Sequence, residues 1–105
     1  MKQNHHPKKL VIKAIEIKGN CPVFKVGDKM VIEGPEVNLK ETDKVCIHAL
    51  FSLGTFIVAL REGLSSDSLG LAKRGGQKAY FQCLDPGQPY TDGGTVTFEV
   101  SRKSS

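Results

Sequence analysis

The stretch from Val45 to Arg61, Val-Cys-Ile-His-Ala-Leu-Phe-Ser-Leu-Gly-Thr-Phe-Ile-Val-Ala-Leu-Arg, is the longest apolar run in the chain. It contains no proline and is too long for an ordinary strand, so it predicts a helix around which the remaining elements pack. Thr42 or Asp43 is placed to cap its start, Gly63 to end it in a left-handed conformation, and Arg61 to complement the negative end. A membrane span needs about 20 mainly apolar residues. This run is shorter, carries His48, Ser52 and Thr55, and is flanked by charges, so a membrane span is rejected.

At about 100° per residue, Cys46, Ala49, Leu50, Leu53, Phe56, Ile57 and Leu60 form one stripe, expected to face the core. His48, Ser52 and Thr55 fall on the far side. Ile47, Phe51 and Val58 make a second, narrower apolar line. A helix apolar on two sides is either buried between layers or touching another molecule. A chain of 105 residues supplies few elements to cover both sides. Ile47, Phe51 and Val58 are therefore read as a contact with a second copy or another protein.

The strands lie on either side of this run. Leu10 to Lys18 is rich in β-branched residues, but its alternation changes phase: Leu10 and Ile12 share one face, Ile15 and Ile17 the other. Burial on both faces or a bulge near Ala14 accounts for the switch. Gly19-Asn20-Cys21-Pro22 breaks this strand, and Val26-Gly27-Asp28 turns into a short strand, Lys29 to Glu33, ended by Gly34-Pro35. Glu36 to Lys44 reads as a charged link.

After the apolar run, the Ser- and Gly-rich segment 63–76 lacks the Gly-x-x-x-x-Gly-Lys-Ser/Thr pattern of a phosphate loop and reads as a flexible surface loop. Ala79 to Leu84 returns to strand, with Ala79, Phe81 and Cys83 on one face. Thr95 to Ser101 alternates cleanly, with Val96, Phe98 and Val100 inward. The expected fold is α+β: strand, strand, helix, strand, strand, an antiparallel sheet covered on one face by one central helix. Residues 9–102 form this single domain, between tails at 1–8 and 103–105. His5 and His6 fall in the first tail and read as solvated.

Hydrophobic content of 39% and charged content of 25% are those of a globular chain rather than a disordered one. The first residues carry no signal-peptide pattern, which predicts a cytoplasmic protein. The net charge of +4 raises nucleic-acid binding, but much of the excess is terminal: Lys2, Lys8, Lys9, Arg102 and Lys103. Stacking platforms also need exposed aromatic residues among basic ones, and Tyr80 and Tyr90 alone qualify, so this is the weakest functional class. Neither a Gly-x-Ser-x-Gly elbow nor a His-Glu-x-x-His pair occurs, which argues against a hydrolytic enzyme.

Three cysteines, an odd number, argue against a disulfide framework. Cys46 lies on the core stripe and Cys83 on the strand face that the helix covers. Cys21, just after the first strand, is able to reach the same end of the sheet. Three gathered thiolates make a soft-metal or redox site; three separate thiols make small core hydrophobes. Structural zinc takes four protein ligands. His48 is excluded as the fourth, because two residues on a helix place it about 200° from Cys46, unless the helix starts after residue 48. Asp85, water or an external ligand would complete a zinc site, and an outside ligand would complete an iron–sulfur cluster.

Around Gly19-Asn20-Cys21-Pro22, Gly27-Asp28, Cys46 with Ala49-Leu50, and Cys83-Leu84-Asp85-Pro86, the chain resembles a family of small uncharacterised prokaryotic proteins of about this length. The resemblance covers roughly residues 9 to 102 and carries no activity with it. It implies that Cys21, Cys46 and Cys83 mark the site. Segment 63–76 departs from the pattern in lacking the aromatic residues the resemblance would place there.

Overall fold

The computed structural model describes residues 9–54 and 56–103. The first strand, β1, spans Lys9–Gly19 and runs between β2 (Lys29–Glu33) and the last strand, β5 (Gly94–Lys103). Two short strands complete the sheet: β3 (Glu36–Val37) outside β2, and β4 (Ala79–Gln82) outside β5. The order is β3-β2-β1-β5-β4, and every neighbouring pair is antiparallel. The α+β class and the antiparallel sheet therefore stand as expected. The segment read as a charged link contributes β3, folded back around Gly34-Pro35 to pair with Ile32 and Glu33.

The phase switch in β1 is a bulge at the place the sequence points to. Pairing with β5 slips between Ala14 and Glu16, leaving Ile15 as the extra, exposed residue. The neighbouring turn bonds to Ala14 from the other side. Pairing of β1 with β2 stops at Lys13 and Lys29. Beyond it, Ala14 exchanges backbone bonds with that turn, donating to Asp28 O and accepting from Gly27 N–H, both at 2.8 Å. After the bulge Ile17 returns to the inner face, opposite Val96.

On that inner face Leu10, Ile12, Met30, Val96, Phe98 and Val100 are buried, closed over by Ala49, Leu53 and Leu60 from the apolar run. Phe98 is fully buried at the centre. Phe24 meets its edge at 5.2 Å and Phe81 stacks on it at 4.9 Å.

The apolar run is not one helix but two, which corrects the central-helix expectation. The first, α1, spans Ile47–Leu53 and packs on β4; the second, α2, spans Phe56–Arg61 and packs on β1. The break is Gly54, at φ 50° and ψ −130°, which closes α1 by donating to Leu50 O at 2.9 Å. An L side chain rarely adopts that conformation, so glycine ends the helix where apolar periodicity alone would continue it. The stripe survives the break: Ala49, Leu53 and Leu60 are buried, and Cys46, Leu50, Phe56 and Ile57 pack against the core. Thr55, expected on the far side, and the tails at 1–8 and 104–105, with His5 and His6, lie outside the described residues. Lys103 is not tail but the last residue of β5, paired with Lys9.

The expected caps have other partners. Thr42 Oγ1 accepts the Val31 N–H at 2.9 Å and Asp43 Oδ2 the Lys29 N–H at 3.0 Å, tying the link alongside β2. Gly63 does follow α2 with positive φ, as expected. The basic C-terminus is also structural: the Arg102 guanidinium donates to Leu60 O at 3.1 Å, Leu64 O at 2.7 Å and the buried Ser66 hydroxyl at 3.3 Å. Segment 63–76 is thereby pinned, and its Leu71 carbonyl accepts the Tyr80 N–H on the outer side of β4. Covering a sheet edge in this way blocks further strand pairing there.

Candidate functional site: a cysteine-lined cleft

Cys21, Cys46 and Cys83 stand far apart in the sequence and line the same cleft, an open cavity of about 400 Å³ with mostly apolar walls. Three elements bring them there. Cys21 follows β1 in a tight turn and accepts the Phe24 N–H on its sulfur at 3.3 Å. Phe24 is anchored in turn against Phe98. Cys83 follows β4, where its N–H donates to Val96 O at 3.0 Å and its sulfur accepts the Val96 N–H at 3.4 Å. The same thiol points toward the carbonyl oxygens of Asp85 and Gly94, each at 3.9 Å, with Thr95 Oγ1 at 3.7 Å.

Cys46 is the N-cap of α1, with extended backbone at φ −122° and ψ 128° and no side-chain capping bond. It therefore lies outside the helical turn that follows, and the 200° separation used to exclude His48 does not apply. His48 lines the same cleft. The helix starts at Ile47, before residue 48, so Cys46 is extended and His48 helical.

Asp85, expected as a fourth ligand, also lines the cleft. Its Oδ1 accepts the Gly87 N–H at 2.9 Å and the Thr91 hydroxyl. The Thr91 hydroxyl, then the Gly87 amide, hold its carboxyl below the usual range, against desolvation and with a further contribution from His48. Gly93 makes room for it, since a Cβ there would clash with Asp85 Oδ2. The cleft thus presents thiols, an imidazole and an ionised carboxylate along an apolar wall, a donor set suited to borderline and soft metals. Among the described residues, however, no group of three or more His, Cys, Asp or Glu is placed to hold a metal ion.

Comparison with protein-family models, with curated proteins and with solved structures finds no match to this chain.

Of the other candidates, Phe51 and Val58 lie away from the cleft. Ile47, Phe51 and Val58 are 62%, 73% and 51% exposed, and Ile47 also stands at the cleft wall. Ser52, expected on the far side, donates to Gln82 O and fastens α1 to β4. Tyr90 is exposed, while the Tyr80 hydroxyl donates to Glu99 at 3.1 Å. Among the described residues no helix is long and apolar enough to cross a membrane.

Proposed function

We propose that this chain is a small accessory protein that binds a metal-containing group, zinc or iron, through Cys21, Cys46 and Cys83. The observation that supports this reading is that all three cysteines of the sequence line one cleft, from β1's exit, α1's N-cap and β4's exit. Two of the sulfurs accept backbone N–H bonds, the kind of support that stabilises a ligating thiolate. His48 and Asp85 supply further donors at the same place. The cysteine-centred motifs on which the chain resembles small uncharacterised prokaryotic proteins include three residues of this cleft.

The test is elemental analysis with thiol titration on protein prepared without oxygen. Bound metal, with three thiols protected until a chelator is added, is the expected result. Metal-free protein whose thiols react unprotected would overturn the reading.

A second reading has its own observation: Phe51 and its neighbours on the helix pair form an exposed apolar line. In it, the line is a contact with another copy or another protein. Sedimentation should then show an assembly larger than 11.4 kDa that Phe51→Lys dissociates. A parent chain that is monomeric at all concentrations removes the self-contact.

A further inference from the structure

We infer that the second half of β1 is a docking edge for a second copy of this chain, the two β1 strands pairing antiparallel with Ile17 opposite its counterpart. Residues 15–19, which form this edge, are not among those lining the cysteine cleft.

Every backbone N–H and C=O of a sheet needs a partner or water. The outer edge of β2 is closed by the link that follows it: Thr42 and Asp43 take the Val31 and Lys29 N–H groups on their side chains, and Lys29 O accepts the Asp43 N–H at 2.8 Å. The outer edge of β4 is met by Leu71 O and by the Ser52 hydroxyl. On β1, by contrast, β2 pairs only as far as Lys13, and the turn takes both backbone groups of Ala14. After the bulge, β1 continues to Gly19 with β5 on one side alone.

Ile17 shows which groups are left over. It stands opposite Val96 in β5. Val96 turns both of its backbone groups toward β4, where its C=O accepts the Cys83 N–H at 3.0 Å and its N–H donates to Cys83 Sγ at 3.4 Å. Opposed residues in an antiparallel ladder exchange both bonds or neither. The N–H and C=O of Ile17 therefore point away from β5, to the side that β2 has left. Among the described residues no other backbone group bonds to them there. An edge of this kind is a template for a further strand.

The strand that fits it is its own copy. The free window runs from Ile15, just past the turn, to Gly19, where a positive φ of 83° ends the strand. Two such windows overlap completely in the antiparallel register that sets Ile17 against Ile17, and there the two residues exchange both backbone bonds. Glu16 and Lys18, both exposed and on one face, then stand opposite Lys18 and Glu16 of the second copy. Opposite charges across a strand pair stabilise it and like charges oppose it. Registers centred on Glu16 or on Lys18 would set like charges against each other. An edge lysine commonly repels a further strand, but here it meets a carboxylate. The exposed bulge residue Ile15 falls opposite Gly19, which has no side chain to crowd it.

The test is sedimentation velocity of the full chain over a concentration series. The parent should form a reversible dimer of its 11.4 kDa chain. Lys18→Glu or Glu16→Lys alone leaves one sign of charge along the edge and should raise the dissociation constant about tenfold or more. The chain carrying both substitutions has the parent's net charge and should regain the parent's dimer. Both side chains are exposed, so the variants keep the fold, which circular dichroism checks. In amide hydrogen exchange, the Ile17 N–H should become protected as the concentration rises.

A parent chain that stays monomeric throughout would overturn the proposal. So would a dimer that ignores both single substitutions; if Phe51→Lys dissociates it instead, the self-contact lies on the helix line. Single variants that weaken the dimer without recovery in the double variant would overturn the register.

Discussion

Phe98 joins the core to the cleft, so replacing it tests whether the site geometry is set by packing. The ring is fully buried, with Phe24 edge-on at 5.2 Å and Phe81 stacked at 4.9 Å. Phe24 closes the turn that carries Cys21, and Phe81 lies two residues before Cys83. Phe98→Ala would remove the whole ring, at about 3–5 kcal/mol, a large share of the roughly 5–15 kcal/mol that holds such domains together. Phe98→Leu is the better probe, since it keeps an apolar side chain and removes both ring pairs. Each pair contributes about 0.5–1.5 kcal/mol beyond its buried area, so the expected loss is about 1–3 kcal/mol.

With a urea m-value near 1.5 kcal/mol per molar, a loss of 2 kcal/mol lowers the midpoint by about 1.3 M at unchanged slope. The functional readout is the rate at which each thiol reacts with a maleimide under native conditions, resolved by peptide mass. Cys21 and Cys83 should react severalfold faster, because the turn and the strand end that hold them are loosened. Cys46, held at the start of α1, should change least. A midpoint shift worth less than about 0.5 kcal/mol, the scatter of ordinary surface substitutions, would refute the packing argument. Equal acceleration at all three cysteines would refute the claim that Phe98 acts through Phe24 and Phe81.

Gly54→Ala gives a test of opposite signs. In a continuous helix it would stabilise by about 1 kcal/mol, whereas at φ 50° and ψ −130° it should destabilise by about 1–2 kcal/mol, measured by urea unfolding. Arg102→Met removes bonds to Leu60 O, Leu64 O and Ser66 Oγ and should cost about 1–3 kcal/mol, with faster proteolysis within segment 63–76. Asp85 has its carboxyl pKa lowered in the fold from an ordinary value of 3.8, first by Thr91 and then by Gly87. Its contribution is therefore complete above that value and lost as pH falls through the lowered one. Asp85→Asn should weaken the protein at neutral pH and flatten the acid limb of the urea midpoint plotted against pH; parallel curves for parent and variant would refute the role.

The parts of the fold legible in the sequence are those fixed by local periodicity. Val96, Phe98 and Val100 alternate inward as their spacing requires, and the phase change between Ile12 and Ile17 marks a real bulge. Lys29–Glu33 is bounded by turn residues that admit little else. The exposed line of Ile47, Phe51 and Val58 follows from helical spacing, which both short helices preserve.

What local pattern could not show was decided by long-range contacts. Gly54 is apolar-neutral in a periodicity count, yet its backbone ends α1. Thr42 and Asp43 have the chemistry of caps, but backbone amides of β2 compete for their oxygens and win. Cys46 belongs to a helical stripe on paper and to an extended N-cap in the molecule, which is why His48 joins the cleft rather than opposing it. The sequence by itself determined which residues are apolar, which are thiols and how strands and helices alternate, because those depend on neighbours along the chain. Only the tertiary structure decided that Cys21, Cys46 and Cys83 line one cleft: that depends on β1, β4 and β5 lying side by side, with both Phe24 and Phe81 packed on Phe98.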